Sequence, residues 1–334
     1  MTDQMQAWQV TAPGPISETL KFTDEATKPS AASLRGDQIL IQVQAAAINP
    51  ADYKTNQMGS GFLSRALISY PKTLGMDLAG IVAAVGPGAS DIKEGDHVFA
   101  RIDPLKQPGA LSQYIISNRD GYAKVADCTN LSAAACLGTA GLTAYQSIYP
   151  YVDAGNSIFI NGGSGGVGTL AIQIGKILGC HVTASCSTSK VNLCRDMGAD
   201  EIIDYKTADV VETLQKSGRQ YSLVLDYVGK SPQNFYITAS TVLTKKGVLI
   251  LGSPTISTII NATLWPGCLG GSKHKVVTYL TKNSHDDMVQ LSKWLDDGSL
   301  RVAIEKSYDF SQVMAAYEHL KKGSTAGKIV IQIP

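Results

Sequence analysis

Residues 158–178 read Ile-Phe-Ile-Asn-Gly-Gly-Ser-Gly-Gly-Val-Gly and then Thr-Leu-Ala-Ile-Gln-Ile-Gly-Lys-Ile-Leu. Gly163, Gly165 and Gly168 have the G-x-G-x-x-G spacing of a dinucleotide-binding turn. The chemistry is that of bare backbone. One glycine permits a sharp strand-to-helix turn, the second lets a pyrophosphate lie on the main chain, and the third lets helix and strand pack closely. Unpaired amides of the first helical turn, with the positive end of the helix dipole, then face the phosphates. Gly163, Ser164, Gly165, Gly166, Val167 and Gly168 are the candidate contacts. The competing reading is a glycine-rich structural turn without a ligand.

A dinucleotide site also needs a grip on the adenine ribose, normally an acidic residue about 20 residues past the glycines. Here that place falls at Ser185, within Ser185-Cys186-Ser187-Thr188-Ser189-Lys190. This stretch carries no carboxylate to repel a 2′-phosphate, and its serine hydroxyls and Lys190 can donate to one. Charge-assisted hydrogen bonds contribute about 1.5–3 kcal/mol each. Two of them outweigh a tenfold preference for the unphosphorylated cofactor. Ser185, Ser187 and Lys190 therefore point to NADPH. The alternative is a solvated helix start capped by Ser187 or Thr188.

These residues need a scaffold of alternating strands and helices. Val167, Leu170, Ala171, Ile174, Ile177 and Leu178 recur at helical spacing and give one apolar face. Short apolar strands are expected at 158–161, 181–185, 201–204, 223–226 and 248–252, with helices at 190–197, 210–216 and 234–243. Such alternation implies a doubly wound parallel sheet with its ligand crevice beyond the carboxyl ends of the strands. Residues 1–127 read instead as β-rich and barrel-like, with strands at 38–47 and 80–85 and a turn feeding a strand near 95–99. After residue 275 the texture is mixed, with helices at 288–296 and 310–321 and a strand at 329–333. The tail is expected to rejoin the first domain, making the nucleotide domain an insertion: 1–127 and 279–334 against 128–278.

The bulk properties fit a soluble, globular chain of two domains. The chain has 334 residues, 44% hydrophobic and 17% charged, with 29 basic residues against 28 acidic. That balance asks for neither nucleic acid nor an anionic membrane. The N-terminus has no basic start or apolar core, so no secretory leader is expected. Residues 129–152 carry no charge, but Asn130, Gly138, Gly141, Gln146 and Pro150 interrupt them, which suits a buried small-residue helix better than a membrane span. The six cysteines form no C-x-x-C pair, and reduced thiols in a cytoplasmic protein are expected.

Several segments carry a family resemblance. They are Ala47-Ile48-Asn49-Pro50-Ala51-Asp52-Tyr53-Lys54, residues 74–80 (Leu-Gly-Met-Asp-Leu-Ala-Gly), residues 137–145 (Leu-Gly-Thr-Ala-Gly-Leu-Thr-Ala-Tyr), the glycine turn, and Asp204-Tyr205-Lys206. With them the chain resembles the medium-chain dehydrogenase/reductase family across almost its whole length. It is most similar to the zinc-independent branch of quinone oxidoreductases, zeta-crystallin-like proteins and trans-acting enoyl reductases of fungal polyketide synthesis. The resemblance implies a GroES-like β-rich catalytic domain beside a Rossmann domain. It implies that Asn49, Thr143, Leu251 and Gly252 lie near the nicotinamide half of the cofactor and Tyr205 beside the 2′-phosphate. Tyr205 as a strand-end aromatic and Thr143 as an ordinary helix residue are the alternatives.

The resemblance also bears on metal. Zinc-dependent relatives carry a cysteine where this chain has Asn49 and a His-Glu pair where it has Met76-Asp77. An amide and a thioether replace thiolate and imidazole poorly. A four-cysteine structural lobe is missing too, and His97, His181, His274, His285 and His319 show no metal spacing. No metal is expected. Without a Lewis acid, carbinol oxidation gives way to reduction of an activated C=C bond, where charge spreads onto a carbonyl that hydrogen bonds can stabilise. Quinones follow the same logic.

For the proton, Tyr53 is the candidate donor and Asn49 a candidate to orient the acceptor, with solvent as the other source and Asp52 as a structural partner in its turn. Mitochondrial enoyl-thioester reductases place a tyrosine where this chain has Ser60, a departure from the simple fatty enoyl pattern. The expected substrate is an enone, alkenal or polyketide-type enoyl chain, with a polyketide synthase as a partner of the trans-acting kind. Quinone reduction and a non-catalytic NADPH-binding role are the alternatives. The loop Trp265-Pro-Gly-Cys-Leu-Gly-Gly reads as a lid or a connector. A strand at 275–280 reads as the edge through which a homodimer pairs.

Overall fold

A computed structural model describes residues 3–58, 69–103, 108–229, 231–232, 235–252 and 274–334. They form two compact units, 1–142 with 283–334, and 143–282. The second unit lies between two stretches of the first, and the helical stretch after residue 128 belongs to the first unit as far as Leu142. Asp77 explains this. It accepts the Thr139 amide at 2.8 Å and the Thr139 hydroxyl at 2.7 Å. A Cβ on Gly138 would lie 2.5 Å from Asp77 Oδ1, so the chain needs glycine to approach that closely. The charge-free stretch is accordingly broken into the helix Leu131–Ala135, a π-turn Leu137–Gly141 and the helix Leu142–Ile148. No helix among the described residues is long and apolar enough to cross a membrane.

The first unit opens with β1 (Gln4–Val10), β2 (Leu20–Thr27), β3 (Ile39–Ile48), β4 (Lys72–Thr73), β5 (Asp77–Val85), β6 (His97–Arg101), β7 (Tyr114–Ser117) and β8 (Tyr122–Lys124). β2, β1 and β4 make a small antiparallel sheet. β3 pairs antiparallel with β5 and β7, and β5 with β6. The inward residues Ile39, Ile41, Val43, Leu78, Val82 and Val98 are β-branched or leucine and nearly inaccessible. Each such side chain contributes about 1.5–3 kcal/mol of burial.

The second unit carries β9 (Ser157–Asn161), β10 (His181–Cys186), β11 (Glu201–Asp204), β12 (Tyr221–Asp226), β13 (Leu243–Leu251) and β14 (Lys275–Thr278). All pairs are parallel, in the order β11-β10-β9-β12-β13-β14. This is the Rossmann order, with the switch point between β9 and β12. Gly175 sits where a Cβ would lie 2.7 Å from Ile158 Cδ1, which lets the helix Gly166–Ile177 lie tight on the sheet. The helix expected at 234–243 is shorter. It spans Phe235–Thr238 and a 3-10 turn Ala239–Thr241, because Leu243 already pairs with Tyr221 at the head of β13. β14 is the outer strand of this sheet.

The chain then returns to the first unit with the helix His285–Asp296, β15 (Ile304–Asp309), the helix Val313–Lys321 and β16 (Lys328–Gln332). β16 pairs antiparallel with β3 over Ala45–Ile48, which sets Lys328 beside the start of the Asn49 segment.

Candidate active site

The glycine turn lies between β9 and the helix Gly166–Ile177. Its sharp bend falls on Gly162 (φ 91°) rather than on the first motif glycine. Gly163 serves packing instead, since a Cβ there would lie 2.8 Å from Ala184 Cβ. A Cβ on Gly168 would lie 2.1 Å from the Gly162 oxygen. Gly165 differs, because the nearest atom to a Cβ there is 3.6 Å away. Of the three motif glycines it has room beside it, at the place where a pyrophosphate needs bare backbone. Thr169 N–H bonds the Gly165 carbonyl at 3.0 Å, so the amides of Gly166, Val167 and Gly168 belong to the first helical turn. Ser164, Gly166 and Val167 are half-buried. These residues fit a dinucleotide diphosphate.

Ser185 is placed otherwise than expected. Its side chain is 1% exposed. The hydroxyl donates to Asn161 Oδ1 at 2.7 Å and accepts the Gly162 N–H at 3.1 Å. It is consumed inside the protein, so the role assigned to it as a donor to a 2′-phosphate is corrected to one within the turn. Asn161 Nδ2 in turn donates to Asp226 Oδ1 at 2.9 Å and to the Ser231 carbonyl at 2.8 Å. Asp226 Oδ1 also accepts the amides of Val228 and Gly229, each at 3.0 Å. Three buried side chains thus join the carboxyl ends of β9, β10 and β12.

At the adenine end Ser187 is half-buried and Lys190 follows it on a 3-10 turn, Thr188–Lys190. Ser187 occupies the N-cap position but makes no side-chain cap bond. The expectation that no carboxylate stands here needs correction, because the parallel register sets Asp204 of β11 beside Cys186. The Thr188 hydroxyl donates to Asp204 and holds its carboxyl below the usual range, with the Lys206 amide at 2.9 Å helping. Thr188 is spent on this contact. Tyr205 is 51% exposed, with the Lys206 ammonium 5.6 Å from its ring centre.

The residues expected near nicotinamide offer backbone more than side chain. Leu251 packs in the core of the second unit, and its carbonyl accepts the Tyr279 N–H. Gly252 N–H bonds the Asp226 carbonyl at 2.9 Å, and a Cβ there would meet Tyr227 Cδ1 at 2.7 Å. Thr143 is 8% exposed, its hydroxyl 2.6 Å from that of Thr281.

In the first unit Asn49 is held on every side. Its Nδ2 donates to Asp77 Oδ2 at 2.8 Å and its Oδ1 accepts from the Lys328 ammonium at 2.6 Å. Lys328 Nζ also reaches the Ile48 carbonyl at 3.3 Å and stands 3.7 Å from Asp77 Oδ2. The Asn49 amide is therefore engaged within the protein, and its expected role of orienting an acceptor becomes one of anchoring the segment. The Asp52 Oδ2 accepts the Asn49 N–H at 2.8 Å and the Tyr317 hydroxyl at 3.1 Å. Tyr53 turns to the helix Val313–Lys321, edge-on to Tyr317 at 6.3 Å and 5.4 Å from the Lys321 ammonium. Burial, then the neighbouring Asp52, raise its phenol above the ordinary value, which makes it a weaker acid. Ser60 and the Trp265 loop lie outside the described residues.

The donors around Asn49 do not suit zinc. Met76 and Asn49 are buried, one a thioether and the other an amide, and Asn49 already meets the Lys328 ammonium. Among the described residues no group of three or more His, Cys, Asp or Glu stands together to hold a metal. The five described cysteines are free.

Two family models match the chain: alcohol dehydrogenase GroES-like domain over residues 35–149, and zinc-binding dehydrogenase over 197–331. The trans-enoyl reductase pgmF of Aspergillus terreus is 38% identical over 98% of this chain and 96% of its own. The chain belongs to the medium-chain dehydrogenase/reductase family. Human NAD(P)H oxidoreductase RTN4IP1, mitochondrial, is 30% identical over 98% of this chain and 89% of its own. Among solved structures, the quinone oxidoreductase from Coxiella burnetii superposes with a TM-score of 0.84 at 29% identity, covering 99% of this chain and 100% of that one. The protein is thus an oxidoreductase of the quinone oxidoreductase and enoyl reductase branch, and a nicotinamide cofactor goes with that membership.

Sequence reasoning missed Lys328, Tyr317, Asn161 and Asp226. A lysine heading the apolar run Lys328-Ile-Val-Ile was the available signal for the first.

Proposed function

We propose that the protein is an NADPH-dependent reductase of a C=C bond conjugated to a carbonyl, working without a metal. The observation that carries this reading is the buried Lys328–Asn49–Asp77 group, which puts a fixed ammonium where the zinc-dependent relatives keep metal ligands. A bound NADPH supplies the hydride. The chain's part is to hold the diphosphate on the amides of Gly166 to Gly168 and to meet the 2′-phosphate with Ser187, Lys190 and Tyr205. In a dry site, hydrogen-bond donors aimed at the acceptor's carbonyl oxygen stabilise the charge that develops there. The extended likeness to a trans-enoyl reductase favours an enoyl chain, including one carried by a synthase, as the acceptor.

The test follows NADPH absorbance while enoyl thioesters, alkenals, enones and quinones are supplied, with and without a chelator. Turnover of enoyl or enone substrates, insensitive to chelation, is expected. Activity with quinones alone would favour the second reading, which the Coxiella burnetii structure supports. Activity abolished by chelation and restored by zinc would refute the metal-free reading.

A further inference from the structure

At the carboxyl ends of β12 and β13 one aromatic side chain joins two strands to a helix. The ring of Tyr227, the first residue after β12, lies against the main chain of Gly252, the first after β13. A Cβ on Gly252 would stand 2.7 Å from Tyr227 Cδ1 and 3.3 Å from Cε1, so only glycine allows this approach. The two segments are also bonded directly, since the Asp226 carbonyl accepts the Gly252 N–H at 2.9 Å. The far end of the ring is fixed too, with the Tyr227 and Ser147 hydroxyls 2.7 Å apart. Ser147 is inaccessible, and its hydroxyl also donates to the Ala144 carbonyl of its own helix at 3.2 Å.

Ser147 does not act alone. Thr143, Gln146 and Ser147 fall at i, i+3 and i+4 on the helix Leu142–Ile148, so they share one face. Thr143 meets the Thr281 hydroxyl at 2.6 Å, and Gln146 accepts the Tyr279 hydroxyl while its amide donates to the Lys282 carbonyl at 3.0 Å. That face therefore binds the segments that leave β12 and β14, the two neighbours of β13 in the sheet. Burial raises the Tyr227 phenol above its ordinary value, with the Ser147 bond opposing. The phenol keeps its proton at neutral pH, so it serves as a hydrogen-bonded strut rather than as an acid.

The strand order gives this arrangement a place along the cofactor. On the reading above, the diphosphate lies on the glycine turn after β9 and the 2′-phosphate beside β10 and β11. The nicotinamide half then extends the other way, over β12 and β13. We propose that Tyr227, held at its hydroxyl by Ser147, is a positioning residue that sets the Gly252 main chain against which the nicotinamide ring lies. The adenosine half is untouched by this contact, because Ser187, Lys190 and Tyr205 follow β10 and β11, on the opposite side of β9. The role rests on that placement of the cofactor and is the same whichever acceptor is reduced.

The test uses the full chain with Tyr227→Phe, Ser147→Ala and the double variant, each first shown to unfold cooperatively. Phenylalanine keeps a ring against Gly252 and removes only the hydroxyl. Isothermal titration measures the binding of NADPH and NADH, each beside the same molecule without its nicotinamide, 2′-phospho-ADP-ribose and ADP-ribose. Each single variant is expected to weaken the complete cofactor about 3- to 10-fold, as loss of one hydrogen bond does, and to leave the matching fragment within about twofold. The double variant should be no weaker than either single one, because both remove the same bond. The fluorescence of the bound reduced nicotinamide should lose anisotropy in all three, a change that lower fold stability alone does not produce. Equal weakening of cofactor and fragment would overturn the proposal, and so would additive losses in the double variant. If the wild type binds neither cofactor nor fragment, the cofactor placement falls with it. If both bind and the folded variants match the wild type, only the role of Tyr227 falls.

Discussion

The Ser185 hydroxyl donates to Asn161 Oδ1 at 2.7 Å while it receives the Gly162 N–H, so a buried serine on β10 fixes the first bend of the glycine turn on β9. Ser185→Ala leaves two buried partners unpaired, at a cost of about 1–3 kcal/mol. The expected result is an NADPH dissociation constant raised about 5- to 150-fold, with KM for the acceptor unchanged. Isothermal titration beside steady-state kinetics checks it.

Gly165 and Gly168 should fail differently when enlarged. Gly165→Ala has 3.6 Å to its nearest neighbour, so stability should fall by no more than about 1 kcal/mol, while the new methyl occupies diphosphate space. Gly168→Ala would place its methyl 2.1 Å from the Gly162 oxygen. That overlap should cost about 3 kcal/mol of stability as well as cofactor binding. Urea unfolding and NADPH titration on the two variants separate the effects.

Cofactor preference should reside in Lys190. Lys190→Gln removes a charge-assisted bond of about 1.5–3 kcal/mol and should weaken NADPH about 10- to 150-fold, with NADH little affected. Equal loss for both cofactors would mean that Lys190 does not meet the 2′-phosphate.

Asp52 should make the fold pH-sensitive in a defined sense. Burial pushes its carboxyl up to about 7 in the folded protein from an ordinary 3.8, so the folded state binds the extra proton between those limits. Stability from this group is fully present below the lower value, falls as pH rises, and levels off above the upper. The loss amounts to about 4 kcal/mol at most. Asp52→Asn should therefore gain stability relative to the wild type as pH rises from about 4 to about 7. Urea titrations across that range measure it, and a parallel pair of curves would contradict it.

Strands and the helix behind the glycine turn were legible because apolar runs and glycine spacing are local signals. The helix expected at 234–243 ran too long because Leu243 suits helix and strand alike, and only its pairing with Tyr221 decides. At the site, local chemistry singled out Gly165 and Lys190 as candidates. It misjudged Ser185, whose partner Asn161 lies on the neighbouring strand, and overlooked Asp204, which reaches Cys186 only through parallel register. Lys328 and Asn49 are separated by 279 positions, and no spacing rule could join them.

The most direct test of the central claim follows deuterium from NADPH labelled at the transferring C4 position into an enone or enoyl thioester, with the product read by NMR. Deuterium on the β-carbon of a saturated carbonyl is the predicted result. Deuterium on a carbinol carbon, or a product that carries none, would contradict it.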